Sequence, residues 1–445
     1  MRITKLSPNV LRVAFTLFAL LAIVGGMLVW TKGSATHAAA PLKAHQVIVK
    51  PVTQPTTKVG TSGGQILFKC QLPNAPFRCY SPQQIANAYS YNSIYKAGIT
   101  GAGRTIVIVD AYQSPTIATD LATFDATFGL SNPKFHIIAP LGLTPFNPKD
   151  PIQVGWAGEI TLDVEWAHAV APGAVIDLVL APTSNDIDLY GVTNYAVQHR
   201  LGDVISQSFG EAEKCADPTL LVLQHQMFGR AIAKGMTVLA SAGDQGAAQP
   251  TCDNASFILS ASTPASDPYV TAVGGTQLFA KANGGYQTEI VWNESDLGTP
   301  YNIAGGGGFS TIYAKPDYQQ GVVPGRGRGL PDVAYDAAVN GGVLGYESGA
   351  FHIFGGTSAG SPQWAGIVAL ADQYQGKSIG FLNPLLYKIG KSASYSAAFH
   401  DILVGNNSFF FLNGSLSITG YNAHRGWDAA SGWGSPIVSD LVKRV

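Results

Sequence analysis

Thr105-Ile-Val-Ile-Val-Asp110 is an unbroken run of β-branched residues that ends in a carboxylate. Such a run is typical of a parallel strand buried on both faces of a sheet. Similar strand patterns occur at 175–180, 204–208, 237–241 and 269–273, and helical patterns at 81–95, 116–128 and 220–234. Their alternation predicts an α/β fold, with a central, mostly parallel sheet and helices on both faces.

The bulk composition describes a chain that can bury a large core and carries little charge. Of 445 residues, 46% are hydrophobic and 12% are charged, and the formal net charge is −1. This balance provides no long-range field for nucleic acid or acidic lipid. Nucleic acid is therefore not an expected partner.

The N-terminus has the pattern of an export signal. Arg2, Lys5 and Arg12 precede an uncharged run over residues 13–30. The pattern predicts, within residues 1–40, either a signal peptide that is removed or a membrane anchor that is retained. The protein is expected to be secreted in either case, with membrane contact only if this segment is retained.

Residues 41–79 are rich in Pro, Thr, Gly and Lys and have little periodicity. This composition predicts a linker or loose extension ahead of the folded body, which is expected to occupy residues 80–445. Four cysteines in an exported chain suggest disulfides, and three pairings are open. The economical choice is Cys70–Cys79 with Cys215–Cys252.

A serine lies between glycines at the start of a helical pattern, in Gly355-Gly-Thr-Ser-Ala-Gly-Ser-Pro-Gln-Trp-Ala-Gly366. Ser358 is therefore expected near a helix N-terminus, which favours negative charge on an alkoxide or oxyanion. The stretch fits both the G-x-S-x-G of α/β-hydrolases and the subtilisin-like Gly-Thr-Ser followed by proline. An ordinary helix cap would also explain it.

A serine nucleophile needs a base, and the Gly-Thr-His context of a subtilisin-like base is missing. Instead, Glu159 and Asp163 stand four residues apart on a helical pattern, so both carboxylates lie on one helix face. This face is either solvated or partly buried. A buried pair would share a proton and keep one carboxylate available as a base in acid. His168 is predicted to be a core or surface residue rather than the base.

Two further stretches are candidates for a role beside the serine. Asp244 follows a strand pattern, and is either a turn residue or a protonated acid that donates a hydrogen bond to an oxyanion. The glycine run 305–308 lacks the lysine and spacing of a phosphate loop. A flexible wall beside an extended ligand is the favoured interpretation of that run.

The order and separation of Glu159, Asp163, Asp244 and Ser358 resemble those of the sedolisin (serine-carboxyl) peptidases, which have a subtilisin-like fold. The resemblance runs from about Tyr80 to the C-terminus. It includes Val273-Gly-Gly-Thr276, Gly307-Gly-Phe-Ser310 and Arg328-Gly-Leu-Pro-Asp332. It implies a subtilisin-like three-layer domain.

The resemblance implies a role for each of the four residues. Ser358 would be the nucleophile and Glu159 the general base and acid. Asp163 would orient Glu159, and Asp244 would donate a hydrogen bond to the oxyanion. The expected activity is that of an exported acid endopeptidase, and a tripeptidyl peptidase of the same family is also compatible.

The same resemblance implies a substrate site and a partner. Phe209 occupies the position of an aromatic residue near the family's active site, and Gly306 and Gly307 lie in the expected wall of the substrate site. The expected partner is a protein or peptide substrate, and the expected oligomeric state is a monomer.

In the C-terminal tail the resemblance implies a site for one Ca²⁺ ion. Asp401 and Asp428 would provide side-chain oxygens, and Ile402, His424 and Gly426 would provide backbone carbonyls. Hard oxygen ligands of this kind suit Ca²⁺.

The sequence departs from the family pattern in three places. Only residues 41–79 lie between the export signal and the body, where the family usually has a long prodomain. Gln245 stands where serine is common, and His424 replaces a usual glycine. Two alternatives remain open: a non-catalytic secreted binding protein of the same fold, and an α/β-hydrolase-type esterase with Asp401 and His424 following the serine.

Overall fold

The computed structural model describes residues 42–49, 51–295 and 297–445. The predicted signal peptide or anchor at residues 1–40, with its apolar run at 13–30, lies outside them. Across the described ranges, no helix combines the length and apolar character needed to cross a membrane.

Strands and helices are numbered in chain order. The strands are β1 Val52–Thr56, β2 Lys58–Ser62, β3 Gln65–Phe68, β4 Cys79–Tyr80, β5 Thr105–Ala111, β6 Phe135–Ile138, β7 Val175–Ala181, β8 Val204–Gln207, β9 Glu211–Ala212, β10 Thr237–Ser241, β11 Ala248–Pro250, β12 Phe257–Leu259, β13 Ser262–Thr263, β14 Thr271–Ala280, β15 Tyr286–Val291, β16 Asn293–Glu294, β17 Ile303–Ala304, β18 Gly308–Ala314, β19 Gly327–Leu330, β20 Val333–Asp336, β21 Gly342–Glu347, β22 Ala350–Gly355, β23 Phe399–His400, β24 Phe409–Phe410, β25 Ser417–Ile418 and β26 Ser435–Pro436. The α-helices are α1 Pro82–Ala88, α2 Asn92–Lys96, α3 Ile117–Phe128, α4 Pro151–Val170, α5 Asp186–His199, α6 Pro218–Ala233, α7 Thr357–Gln375, α8 Asn383–Gly390, α9 Tyr395–Ala398 and α10 Val438–Leu441.

The centre of the fold is an eight-stranded sheet. Its strand order is β15-β14-β10-β8-β5-β7-β6, and β20 pairs with β14. Neighbouring strands run parallel except for β14 and β15. This confirms the predicted central, mostly parallel sheet.

Alternate residues of β5 face two separate cores. Ile106 and Ile108 pack with residues of α4 and α7, whereas Val107 and Val109 pack with residues of α5 and α6. Successive side chains of a strand point to opposite faces, so helices must cover both faces of the sheet. Each buried Ile or Val stabilises the fold by roughly 1.5–3 kcal/mol relative to exposure. The predicted three-layer arrangement is therefore confirmed.

The predicted helix over 81–95 is divided into α1 and α2. Ser90 lies between them with a φ of 64°, in the left-handed region. A residue in that conformation cannot continue a right-handed helix. The apolar pattern of residues 81–95 did not predict that the helix is interrupted at Ser90.

Residues 52–79 differ from the predicted loose extension. Strand β1 pairs antiparallel with β22, and β2 and β3 form a hairpin. Pro55 is compatible with β1 because this strand lies at the edge of its sheet. Strand β1 is held by backbone hydrogen bonds to β22. Since any residue type except proline can donate such bonds, the amino-acid composition of this segment did not predict a strand.

Both predicted disulfides are present. Cys70 is bonded to Cys79 and Cys215 to Cys252, and the chain has no free cysteine. The Cys70–Cys79 bond fixes the end of the N-terminal segment close to the start of α1.

Candidate active site

Helix α4 places Glu159 and Asp163 in the interior. Its N-terminus is capped by Asp150, whose side chain accepts a 3.0 Å hydrogen bond from the backbone of Ile152. Pro151 at the first helical position is compatible with this start. Both carboxylates are 0% exposed, so the buried alternative for this helix face is the correct one.

Burial raises the pKa of Glu159 well above its usual value. The charge of Asp110 adds to the rise, and the nearby Ser358 hydroxyl opposes it. Within the described part of the chain, neither Glu159 oxygen has a hydrogen-bond partner of normal geometry. The carboxyl of Glu159 is therefore buried beside the Ser358 hydroxyl and the Asp110 carboxylate.

Asp163 is held by a hydrogen bond from a neighbouring strand end. The Ser208 hydroxyl donates to its Oδ1 at 2.8 Å. Burial raises the pKa of Asp163 well above normal, Asp110 and Glu159 raise it further, and the Ser208 hydrogen bond lowers it. With no cation among these influences, the carboxylates must share protons rather than all ionise.

A third buried carboxylate, Asp110, joins the pair. It is the carboxylate at the end of the β5 run, is 0% exposed, and has a pKa raised to about 8 by burial. The sequence placed it at the carboxyl end of a central strand, where functional side chains of parallel sheets collect. Nothing in the linear pattern indicated that it would lie beside α4.

Ser358 is the second residue of α7, directly after the turn that ends β22. Gly356 caps this helix with a φ of 116°, a conformation that favours glycine. The Ser358 hydroxyl lies 3.4 Å from the Ser208 carbonyl oxygen, and the residue is 6% exposed. Ser358 thus stands at a helix N-terminus as predicted, next to the buried carboxylates.

Asp244 packs against the same turn. Its Oδ1 accepts 2.8 Å hydrogen bonds from both the backbone and the hydroxyl of Thr357. A side chain on Gly356 would lie 2.8 Å from Oδ2 of Asp244, so only glycine fits here. Burial raises the pKa of Asp244 above its usual value, and the two hydrogen bonds from Thr357 lower it in part.

The predicted substrate residues lie close to this centre but are largely buried. Phe209 follows Ser208 and packs against Trp156, with ring centroids 6.0 Å apart. Side chains on Gly306 and Gly307 would collide with the carbonyl oxygens of Ala242 and Ala429. Close backbone packing therefore explains both glycines without a ligand, and their contact with substrate stays a prediction.

His168 lies in the core away from these groups. It is 0% exposed, and its Nε2 lies 3.2 Å from Oδ1 of Asp125. The histidine thus pairs with α3 and is not the base of a serine triad.

The predicted calcium residues converge on one loop. Asp401 Oδ1 accepts a 3.1 Å hydrogen bond from the backbone of Gly426, and Asp428 Oδ2 accepts one of 3.0 Å from the backbone of His424. Within the described ranges, no three His, Cys, Asp or Glu side chains form a metal-holding cluster. The predicted set has only two carboxylates, and its other ligands would be carbonyl oxygens.

Sequence reasoning missed Asp110 and Ser208. The sequence contained a signal for Asp110, because a carboxylate at the carboxyl end of a buried parallel strand is at the edge where functional side chains collect. For Ser208 the only signal was its position just after β8, another central strand.

Comparison with known proteins finds relatives over most of the chain. It is 35% identical over 392 residues to kumamolisin of Bacillus sp. (strain MN-32), covering 84% of this chain and 65% of that protein. It is 34% identical over 369 residues to sedolisin of Pseudomonas sp. (strain 101), covering 80% and 60%. It is 30% identical over 315 residues to tripeptidyl-peptidase 1 of Canis lupus familiaris, covering 65% and 52%.

The chain thus spans less than two thirds of the length of these curated relatives. Among solved structures it is similar to Pseudomonas sedolisin, a serine-carboxyl proteinase complexed with two molecules of pseudo-iodotyrostatin. That likeness has a TM-score of 0.72 and 32% identity, and covers 82% of this chain and 98% of that one. No protein-family model matches the chain.

Proposed function

Because the chain belongs to the sedolisin family, we propose that it is an exported serine-carboxyl peptidase that cleaves peptide bonds in acid through an acyl-enzyme on Ser358. One observation carries the proposal: Ser358 stands at a helix N-terminus beside the buried pair Glu159 and Asp163. A carboxylate pair with raised pKa values suits proton transfer at low pH. The family's fold also rules out the α/β-hydrolase alternative.

In the proposed acylation step, Ser358 Oγ attacks the carbonyl carbon of the substrate and its proton passes to Glu159. Asp163 holds the proton that the pair shares, on the Oδ2 that Ser208 leaves free. Collapse of the tetrahedral intermediate breaks the C–N bond, and Glu159 returns the proton to the leaving amine. Water then attacks the acyl carbon and gives a proton to Glu159; the bond between this carbon and Ser358 Oγ breaks, Glu159 returns the proton to Oγ, and the carboxylic acid is released.

Asp244 is proposed to stabilise the oxyanion in its protonated form. Its raised pKa supports this role, because a neutral carboxyl can donate a hydrogen bond where a carboxylate cannot. The N-terminus of α7 would add its own favourable potential. Whether substrate is cut internally or as tripeptides is left open by these groups.

The test is hydrolysis of a denatured protein at about pH 4, a pH at which a carboxyl base still works. Ser358→Ala should abolish turnover, and full activity in this variant would sink the proposal. Ser361→Ala is the matched control, because this serine is also buried in α7 and, within the described ranges, its hydroxyl bonds to that of Ser206 and to no other side chain. A serine-directed fluorophosphonate probe separates an enzyme from a non-catalytic binding protein, which would not react.

One Ca²⁺ ion is proposed for the tail. The support is that Asp401 and Asp428 flank one loop, 424–426, whose carbonyl oxygens could complete a hard-oxygen site. The ion would supply positive charge that ties this loop to the segment at 401–402. Ile402, His424 and Gly426 would contribute backbone oxygens only, so the histidine side chain is not required.

Export is supported by the two disulfides, which persist in oxidising compartments. The proposed partner is a protein or peptide substrate. A monomeric state stays a prediction.

A further inference from the structure

Two neighbouring cavities lie along helix α6. The first has a volume of about 520 Å³, and its lining includes Val222 of α6 and Ile312 of β18. The second has a volume of about 680 Å³, and its lining includes Tyr318 and Phe381. His225 of α6 lines both cavities, so the two form one surface, called the α6 groove below.

The residue at the middle of the α6 groove is held in place by contacts within the protein. His225 Nδ1 lies 2.9 Å from Oδ2 of Asp267, which is itself 1% exposed. The His225 ring stacks on Tyr269 with centroids 4.8 Å apart, and its centroid lies 5.7 Å from that of Tyr313. The groove is therefore formed before any ligand binds, as is usual for binding sites.

The α6 groove leaves large apolar side chains in contact with solvent. Val222 is 56% exposed and Ile312 is 44% exposed, and they line the same cavity. In the other cavity, Phe381 packs edge-on against both Tyr269 and Tyr318, with centroids 5.6 and 5.8 Å apart. Contiguous exposed apolar surface marks interaction sites, and aromatic-lined grooves bind extended peptide segments that contain proline.

The rim of the α6 groove carries an excess of positive charge. Lys214 borders the first cavity, Lys388 and Lys391 border the second, and all three are exposed. The carboxylates among the described lining residues are Glu213 and Asp317, and Glu213 is buried and already accepts three hydrogen bonds within the protein. Charge complementarity therefore favours a ligand that carries carboxylates.

The α6 groove begins close to the proposed substrate site. Glu213 is four residues after Phe209, and Ile312 is four residues after Gly308, which ends the glycine run. Four extended residues span at most roughly 14 Å. Both walls of the first cavity thus continue from segments that border the candidate active site.

We propose that the α6 groove binds an extended acidic segment of the substrate, away from the bond that is cleaved. Prolyl or aromatic side chains of this segment would occupy the cavities, and its carboxylates would face the lysines of the rim. A substrate must extend about five residues beyond Phe209 to reach the groove. This inference rests on the proposed function and adds to it a class of preferred substrate.

The first experiment measures binding in full-length Ser358→Ala, which does not cut the ligand. The probe is the fluorescein-labelled peptide Glu-Pro-Tyr-Glu-Glu-Pro-Tyr-Glu, followed by fluorescence anisotropy at about pH 6, where its glutamates are ionised. The paired changes Lys388→Glu and Lys391→Glu should raise Kd at least about tenfold, because like charges replace opposite ones. The matched control is Lys96→Glu with Lys377→Glu, two exposed lysines that line neither cavity, and its Kd should not change.

A second variant tests the apolar part of the α6 groove. Val222→Asp introduces a charge at an exposed position of α6, so the fold should persist while peptide binding weakens severalfold. Val59→Asp is the control, because Val59 is 48% exposed in β2 and lines neither cavity. Equal binding of a peptide with lysines in place of the glutamates, or an unchanged Kd in Val222→Asp, would overturn the proposal.

The active enzyme provides a readout by substrate length. For a denatured acidic protein, Lys388→Glu with Lys391→Glu should lower kcat/KM mainly through KM, because the groove binds substrate and transition state alike. A blocked tripeptide amide is too short to reach the groove, so its kcat/KM should not change. An equal loss for both substrates would contradict a separate binding groove.

Failure of the proposed function gives a different result. If the acidic peptide binds and the lysine and valine variants weaken it, yet no form hydrolyses denatured protein, the α6 groove stands as a peptide site and the peptidase assignment fails. If the enzyme is active but the acidic peptide does not bind, the peptidase assignment stands and the α6 groove proposal is wrong.

Discussion

The Ser208 hydroxyl donates a 2.8 Å hydrogen bond to Oδ1 of Asp163, and is the hydrogen-bond donor to that carboxylate in the described chain. The carbonyl oxygen of the same serine lies 3.4 Å from the Ser358 hydroxyl. One residue after β8 therefore touches both the partner of the proposed base on α4 and the proposed nucleophile on α7. Its position links the two helices at the point where proton transfer is proposed.

Ser208→Ala should lower kcat by about tenfold and move to higher pH the loss of activity that follows ionisation of Asp163. The hydrogen bond lowers the pKa of Asp163, so its loss raises that pKa and keeps Asp163 protonated, as the proposed mechanism requires, to a higher pH. Measurement of kcat against pH checks this. Ser206→Ala is the control, since that buried hydroxyl bonds to Ser361 instead, and an equal shift in it would mean a general packing effect.

Asp244→Asn should remove the alkaline limb that depends on this carboxyl. The pKa of Asp244 is raised in the fold, so the protonated donor persists to higher pH than for an ordinary aspartate and is lost as the pH rises through the raised value. An asparagine amide donates at every pH. Asp244→Ala, by contrast, should lower kcat roughly 10²–10³-fold. Identical pH profiles for wild type and Asp244→Asn would contradict the role.

Glu165→Gln should stabilise the protein near neutral pH. Burial raises the pKa of Glu165 well above normal, with Asp120, Asp125 and Glu347 adding to the rise. Protonated Glu165 thus contributes fully below the ordinary carboxyl pKa, and this stability is lost as the pH rises toward the raised value. The gain at about pH 7 should be on the order of 1 kcal/mol or more, since one pKa unit is about 1.4 kcal/mol.

Thermal unfolding at about pH 4 and about pH 7 measures this difference, and the gain should vanish in acid. Glu213→Gln is the matched control. Glu213 is equally buried but accepts hydrogen bonds from Ser310 and Thr311, so its amide variant should destabilise at both pH values. Equal stabilisation of Glu165→Gln and Glu213→Gln would contradict the explanation by the raised pKa of Glu165.

Removal of calcium should destabilise the tail. Chelation is expected to lower Tm by several degrees, because ligand binding to the native state adds about 3 kcal/mol at a hundredfold excess over Kd. Asp428→Asn should lower Tm and abolish the response to added Ca²⁺. Asp440→Asn, an exposed change near the C-terminus, should leave the response intact. If chelation leaves the Tm unchanged, the proposed calcium site is wrong.

The periodicity of the sequence predicted those strands and helices in which the burial of the side chains follows a regular pattern. The β-branched run of β5 is buried on both faces, so its pattern was unambiguous. The spacing of Glu159 and Asp163 likewise fixed one helix face. The N-terminal segment was mispredicted because β1 is held by backbone hydrogen bonds to β22, which leave no mark on side-chain composition.

The sequence by itself determined the α/β class, the shared face of Glu159 and Asp163, and the place of Ser358 at a helix start, because each follows from local periodicity. Only the tertiary structure decided that the pair is buried, that Asp110 and Ser208 join it, and that residues 52–56 pair with β22, the strand before Ser358. These groups come from separate strands and helices. Burial and charge coupling depend on distances through space, and residue order does not specify those distances.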